Sequence, residues 1–459
     1  MIAPARTAAY EVLRAVNSGT SDLPHALARA RVRLHDERDR ALAGEIATGT
    51  LRWQAAFDHV IAAFARRRID RFDPEVVDIL RSAMFQLLHL DRVPASAAVN
   101  DAVQLTRVAG KKSAAPLVNA VLRRVSRERA RLPLPSRPAD LSDRSSAIDY
   151  LSIALSHPRW LVERWLDRYG FDATEAWLRF NNAPAALTIR VNRLKTDAAS
   201  LVAELSEHGV RVEHGRYAPD ALVAIEGNPL LTPLADTGRF FVQDEASQLV
   251  AAMVTARDGE RGLDACASPG GKTTAMAASM HDRGLIVATD VRGRRVDLLA
   301  RTVASSGASC IRVVQADAGA LPFASAARQS AVPSGPFDWI LLDAPCSGLG
   351  TIRRDPDLRW RRTEQDLGAM AASQLAMLRE TARVLRPGGR LVYSTCSSEA
   401  DENEDVVLAF LADGDFVGVR PEALPEAMAP LLNDTGHLRT YPFRDGLEAF
   451  FAAVLVKRG

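Results

Sequence analysis

The chain has 459 residues, 47% hydrophobic and 25% charged, with a formal net charge of +2. That is too long for one hydrophobic core and ordinary for a globular protein of two or three domains. No run of about 18 uncharged apolar residues occurs, and the first residues lack a basic head followed by an apolar stretch, so no membrane span and no signal peptide are expected.

Residues 1–131 carry 22 Lys and Arg against 14 Asp and Glu, a net of +8, which leaves −6 for the remainder. A basic module on a mildly acidic body suggests that one part binds a polyanion while another does chemistry. Helical spacing runs through this module: Ile79, Ala83, Leu87 and Leu90; Val99, Ala102 and Val103; Val118, Leu122 and Val125. Breaks fall at Asp73-Pro74, Val93-Pro94 and Gly110, and Ser96 is placed to cap the helix carrying Val99. An all-α bundle over 1–131 is predicted.

Residues 132–156, with Leu-Pro-Leu-Pro-Ser-Arg-Pro followed by Ser and Asp, have the composition of a linker. Residues 157–242 read as a small α/β unit: a helix with Trp160, Val162, Trp165 and Leu166, a strand over Leu187–Asn192, a helix around Leu201–Leu205 and a strand near Val210–Val212. Over 243–459 apolar strands alternate with amphipathic helices. The strands are Arg261–Cys266, Leu285–Asp290, Ile311–Asp317, Phe337–Asp343 and Arg390–Cys396. Val296, Leu299, Ala300 and Val303 mark one helix face, and Leu375, Leu378, Ala382 and Leu385 another. This pattern predicts a parallel, doubly wound, Rossmann-like sheet.

The first of these strands runs into Cys266-Ala267-Ser268-Pro269-Gly270-Gly271-Lys272-Thr273 and then a helix. A Gly-rich turn at a helix N-terminus lets backbone approach a ligand closely. A phosphate loop would need glycine where Cys266 stands. Asp290 ends the next strand about 20 residues on, where an acid can accept from ribose hydroxyls, and Asp317 and Asp343 end two more. Each Asp alone is as readily a turn former; acids at three successive strand ends favour a nucleoside cofactor such as S-adenosylmethionine over a nucleotide triphosphate.

Cys346 and Cys396 lie in polar turns at the carboxyl ends of two of these strands, where open α/β sheets place their sites. A single cysteine there would read as an inert packing residue. A thiol beside a methyl donor suits C5 methylation of a pyrimidine, in which a thiolate adds to C6 and makes C5 nucleophilic. Asp343 is placed to hydrogen-bond the cytosine edge or help protonate its ring nitrogen. Sequence order leaves open which cysteine attacks.

These motifs resemble those of the bacterial small-subunit ribosomal RNA cytosine-5 methyltransferase B family (the Fmu/Sun group) and, more broadly, the NOL1/NOP2/Sun RNA methyltransferases. The resemblance covers nearly the whole chain. It rests on Phe241-Val-Gln-Asp-Glu-Ala-Ser-Gln248, Asp264-Ala-Cys-Ala-Ser-Pro-Gly-Gly-Lys-Thr273, Asp343-Ala-Pro-Cys-Ser-Gly-Leu-Gly350, Arg354-Asp-Pro-Asp357 with Trp360, and Ser394-Thr-Cys-Ser397. In the bundle, Ser96–Val103 and Pro116–Arg124 resemble a NusB-type RNA-binding domain. Ala449 stands where relatives often have glycine.

The resemblance implies Cys396 as nucleophile and Cys346 as the residue assisting product release. It also implies cofactor contacts at Cys266–Lys272, Asp290, Asp317 and Asp343. The implied substrate is a cytosine in RNA, most readily 16S ribosomal RNA. The implied setting is the cytoplasm, without metal, DNA, membrane or obligate protein partner. An inactive RNA-binding protein and an RNA-dependent NTPase are the rival classes; the cysteines and acids weigh against the first, Cys266 against the second.

Overall fold

The computed structural model describes residues 2–459 apart from 324–335, 421, 423 and 425. They form two compact units, residues 1–184 with 352–362 and residues 185–351 with 363–459.

The first unit is helical. Its bundle comprises Pro4–Asn17, Leu23–Arg33, Glu37–Arg52, Gln54–Ala65, Pro74–His89, Ala95–Val108 and Ala115–Glu128. Proline opens the first and fifth, where its missing N–H is no loss. Asp22 and Asp36 cap two others by accepting from His25 N and Arg38 N. The helix expected to be capped by Ser96 starts at Ala95, with Pro94 at the N-cap and no side-chain cap; proline's fixed φ starts the helix two residues early. Leu13, Ile46, Ile61, Ile79, Met84 and Leu122 are buried in one core. Glu37–Arg52 and Pro74–His89 pack so closely that a Cβ on Gly49 would lie 2.1 Å from the Phe85 ring.

The stretch 132–156 is more than a linker: it holds a helix, Arg144–Asp149, continued by a π-helical turn, Tyr150–Ala154, and buries Ile148, Tyr150 and Leu151. The helices Arg159–Tyr169 and Phe171–Asn182 follow, with Trp165 stacked on Trp177 at 4.2 Å. In the division into two compact units they fall with the first. So does the segment 352–362, a few residues past Cys346. Its Arg359 is fully buried and donates to Ser156 O (2.9 Å) and Asn182 Oδ1 (3.0 Å), while Trp360 donates to Leu51 O (2.7 Å).

The second unit holds two sheets. The smaller is antiparallel, in the order β2-β3-β1-β4, from β1 (Thr188–Val191), β2 (Arg211–His214), β3 (Ala221–Glu226) and β4 (Phe240–Val242). The helix Ala198–Glu207, capped by Asp197, covers it through Leu201 and Leu205. Arg190 on β1 is buried; it donates to Gln243 Oε1 (2.7 Å) and Thr274 Oγ1 (2.8 Å), and burial lowers its pKa to about 10.

The larger sheet is built from β5 (Arg261–Asp264), β6 (Leu285–Asp290), β7 (Ile311–Gln315), β8 (Phe337–Asp343), β9 (Leu385–Thr395), β10 (Phe416–Gly418), β11 (Leu438–Arg439) and β12 (Phe451–Lys457). Its order is β10-β12-β9-β8-β5-β6-β7, with β11 on β12. The run from β9 to β7 is parallel, as expected; β12 enters antiparallel between β9 and β10 and makes the sheet mixed. Leu385, read as the end of a helix, begins β9, because that helix (Glu364–Ala382) stops before Pro387. Connections leave β5 toward β6 on one side while β8 lies on the other, so the strand order reverses at β5. The carboxyl ends beside such a reversal form the binding crevice.

Candidate active site

At the end of β5, Asp264 accepts from Thr273 Oγ1 through Oδ2 (2.7 Å), while its buried Oδ1 has no hydrogen-bond partner among the described residues. Burial raises its pKa to about 7; the Thr273 bond opposes this, and Asp343 and Asp290 add to it. The following loop is fixed by backbone bonds from Ala265 N to Leu341 O (2.9 Å) and from Ala267 N to Thr289 O (2.8 Å). Gly270 takes φ +103° as N-cap of the helix Gly271–Ser279, a conformation that L side chains rarely adopt. Ser268 donates to Arg295 O (3.0 Å), closing the loop against the helix Gly293–Ser306.

Lys272 turns toward β8. Its Nζ meets Asp343 Oδ2 at 2.7 Å, and Asp343 Oδ1 accepts from Ser394 Oγ of β9 at 2.7 Å. Burial acts to lower the Lys272 pKa, but Asp343, by charge and hydrogen bond, with Cys396 and Asp264, raises it above the ordinary value. The Asp343 side chain is 27% exposed, so a ligand edge can still reach it. Lys272 is therefore engaged by the carboxylate of Asp343.

Asp290, buried at the end of β6, accepts from Arg292 N (3.2 Å), and Arg295 Nη1 stands 3.7 Å away. Asp317 is exposed, and its Oδ1 accepts from Gly319 N (2.8 Å) in a turn beyond β7. Of the expected acids it is the one set apart. Cys266 carries a raised pKa, from burial first and then from Asp264, Asp343 and Asp290. Cys310 precedes β7, at the opposite end of the sheet, and is buried.

The turns after β8 and β9 bring Cys346 Sγ and Cys396 Sγ to 3.3 Å. Ala344 N donates to Ser394 O (2.8 Å) and Gly350 N to Cys396 O (2.9 Å), so backbone bonds hold the turns together. A Cβ on Gly350 would lie 2.0 Å from Ala449 O and 2.7 Å from Cys396 O, so that strap admits only glycine. The Cys346 pKa stands well above the ordinary thiol value because of its hydrogen bond to Cys396, burial, and the charges of Cys396 and Glu402.

Sequence reasoning missed the support beneath them. Glu402, fully buried, accepts from Ser347 N (2.8 Å), Ser347 Oγ, Ser397 Oγ and Gln374 Nε2 (3.0 Å). Asn403 holds Thr395 and Ser397 O. Glu402 sits in Asp-Glu-Asn-Glu-Asp (401–405), a charge run that reads as solvated. Gln374 gives the better signal, a polar residue seven positions after buried Leu367 and four before buried Leu378. Asp264 was legible only as part of its motif.

The family profile described as 16S rRNA methyltransferase RsmB/F matches residues 251–456, that of the NusB family residues 3–127, and that of the RsmF/B-like ferredoxin-like domain residues 157–229. The probable ribosomal RNA small subunit methyltransferase B of Bacillus subtilis is 35% identical over 92% of this chain and 92% of its own length. The ribosomal RNA small subunit methyltransferase B of Pseudomonas putida is 34% identical over 89% and 88%. The crystal structure of PH0851 superposes with a TM-score of 0.80 at 27% identity, covering 100% of this chain and 99% of that one. A NusB-like bundle, a ferredoxin-like module and a Rossmann-like catalytic domain are thus joined in one polypeptide, and the chain belongs to the ribosomal RNA small subunit methyltransferase B family.

Proposed function

We propose that the protein methylates C5 of one cytosine in 16S ribosomal RNA, with S-adenosylmethionine as methyl donor and Cys396 as nucleophile. The observation that carries this reading is the pair of thiols 3.3 Å apart beside the Lys272–Asp343 ion pair, at the carboxyl ends of two adjacent parallel strands.

The donor set suits a cationic cofactor. Asp264, Asp290 and Asp343 meet two nearby cations, Lys272, which Asp343 already holds, and Arg295, 3.7 Å from Asp290, and the buried Asp264 Oδ1 has no hydrogen-bond partner among the described residues. A ligand bearing an ammonium and a sulfonium relieves that excess of negative charge, whereas a triphosphate adds to it. Residues Cys266, Ala267, Ser268, Pro269, Gly270, Gly271 and Lys272 would line the near side of the cofactor, with Asp290 and Asp317 toward its ribose and base. When bound, it supplies the electrophilic methyl group.

The chain's own residues do the rest. The Cys396 thiolate forms a bond to C6 of the cytosine, which moves electron density to C5 and makes it nucleophilic. Asp343, held by Lys272 and Ser394, accepts from the base edge and steadies the charge that develops on the ring. After methylation a base takes the C5 proton, its bonding electrons re-form the C5–C6 double bond, and the Cys396–C6 bond breaks to release the thiolate. Cys346, in contact with Cys396 Sγ, assists that release. The target base must be unstacked to reach the thiols.

The RNA grip is assigned to the basic bundle. Ser96, Asn100, Asn119, Arg123, Ser126 and Arg127 line a groove of about 470 Å³ along Ala95–Val108 and Ala115–Glu128. Bisulfite sequencing of ribosomal RNA from a strain lacking the gene tests the proposal. One 5-methylcytosine should vanish and return with the wild-type gene but not with Cys396→Ala; an unchanged pattern would overturn 16S ribosomal RNA as substrate.

A further inference from the structure

The reaction just described uses the two thiols in separate steps, yet the fold rests one sulfur against the other. Cys346 Sγ and Cys396 Sγ stand 3.3 Å apart. A disulfide bond is about 2.05 Å long, so bonding would need the sulfurs to approach by only about 1.2 Å. Their turns leave the neighbouring parallel strands β8 and β9, whose last paired residues are Asp343 and Ser394. Neighbouring strands run about 4.8 Å apart, inside the roughly 4.4–6.8 Å between Cα atoms that a disulfide spans.

The two turns are also fixed to each other. Ala344 N donates to Ser394 O and Gly350 N to Cys396 O. The buried carboxylate of Glu402 accepts from Ser347 N and Ser397 Oγ, so it holds the residue after each cysteine. Groups held face to face react as one unit rather than by chance encounter. The remaining cysteines are placed differently. Cys310 is buried ahead of β7, at the opposite end of the sheet, and Cys266 lies in the loop after β5. Cys346 and Cys396 are both half-buried, within reach of a small solute.

We propose that the thiol pair is a site of reversible oxidation: a hydroperoxide converts Cys346 and Cys396 into a disulfide, which ties up the nucleophile until a thiol reductant reopens it. One sulfur, as thiolate, attacks a peroxide oxygen. The O–O bond breaks, a sulfenic acid forms, and the hydroxide released takes up the proton that the thiol gave up. The second thiol then attacks the sulfenic sulfur. The S–S bond forms, the S–O bond breaks, and water leaves with the second thiol's proton. Two thiols are oxidised and one hydrogen peroxide is reduced to two waters. The product is the same whichever sulfur reacts first. That the disulfide silences methylation rests on the cytosine-5 reading above; that it forms does not.

The test treats the full-length, ligand-free protein with graded hydrogen peroxide, blocks the remaining thiols with iodoacetamide, and maps the peptides without reductant. A peptide pair linked through Cys346 and Cys396 should be the principal cross-link. Methyl transfer to ribosomal RNA should fall in step with it and return after dithiothreitol. Absence of that link at doses that oxidise either cysteine, or a principal link through Cys266 or Cys310, would overturn the proposal.

Cys346→Ser supplies the second arm, read by mass rather than by activity. With no thiol to capture it, a sulfenic acid on Cys396 should advance to the sulfinic acid, a gain of two oxygens that dithiothreitol does not reverse. At the dose that links wild type, the variant should carry this product and wild type should not. Equal sulfinic yields in the two proteins would mean that Cys346 does not capture the oxidised sulfur, and would overturn the proposal. Should the variant not fold, the wild-type map decides alone. If the disulfide forms but the methylated base is not 5-methylcytosine, the cytosine reading fails and the oxidation site stands.

Discussion

Replacing Asp264 by asparagine separates the electrostatics of the cofactor loop from its shape. Asparagine keeps an oxygen to accept from Thr273 and loses the charge. In the folded protein burial raises the Asp264 pKa from 3.8 to about 7. A raised carboxyl stabilises the fold fully below its unfolded value, and that contribution is lost as pH rises through the folded value. A shift of about three units corresponds to a swing on the order of 4 kcal/mol between roughly pH 4 and pH 7. Urea unfolding of ligand-free wild type and Asp264→Asn across that window measures it. The two should differ least near pH 4, and the variant should gain on wild type as pH rises, by up to about 4 kcal/mol. Parallel stability curves would refute the argument that the unpaired Oδ1 marks a proton held at neutral pH. The cofactor supplies a second arm. A cation draws the proton off Asp264, so S-adenosylmethionine should bind wild type more weakly as pH falls below about 7, whereas Asp264→Asn should bind weakly with little pH dependence.

Other consequences are equally direct. Cys396→Ala should abolish turnover while S-adenosylmethionine affinity, measured by calorimetry, changes less than about threefold; substantial turnover would remove Cys396 from the nucleophile role. Arg123→Ala with Arg127→Ala should weaken RNA binding and reduce the slope of log affinity against log salt by about one to two; an unchanged slope would place the RNA grip elsewhere. Gly49→Ala should destabilise the helical unit by about 1–3 kcal/mol, because the new methyl meets the Phe85 ring, and Phe85→Leu should recover part of the loss. A neutral Gly49→Ala would contradict that packing.

What the sequence disclosed depended on whether the signal was local. The bundle was readable because Ile79, Ala83, Val118 and Leu122 recur at helical spacing and Pro74 marks a break. The strand ends carrying Asp290 and Asp343 were readable because apolar runs end in acids, whereas β7 stops at Gln315 and Asp317 lies in the turn beyond it. Two strands were not: β4 has three residues, too few for an alternation to stand out, and β12 sits in an apolar run whose direction is set by its partners. Residues 352–362 show the limit most clearly. Nothing around Arg359 announces that its partners are Ser156 and Asn182, about 200 residues earlier. Glu402 failed for the same reason, as its burial is created by turns that meet only in the folded sheet.

The central claim is a covalent bond between Cys396 and the target base, and trapping that bond tests it most directly. Cys346→Ala, incubated with 16S ribosomal RNA and S-adenosylmethionine, should accumulate a species that survives denaturing electrophoresis. Digestion should yield a peptide carrying methylated cytidine on Cys396. If turnover proceeds with no adduct in Cys346→Ala, or if the nucleotide maps to a residue other than Cys396, the account of the two thiols is wrong.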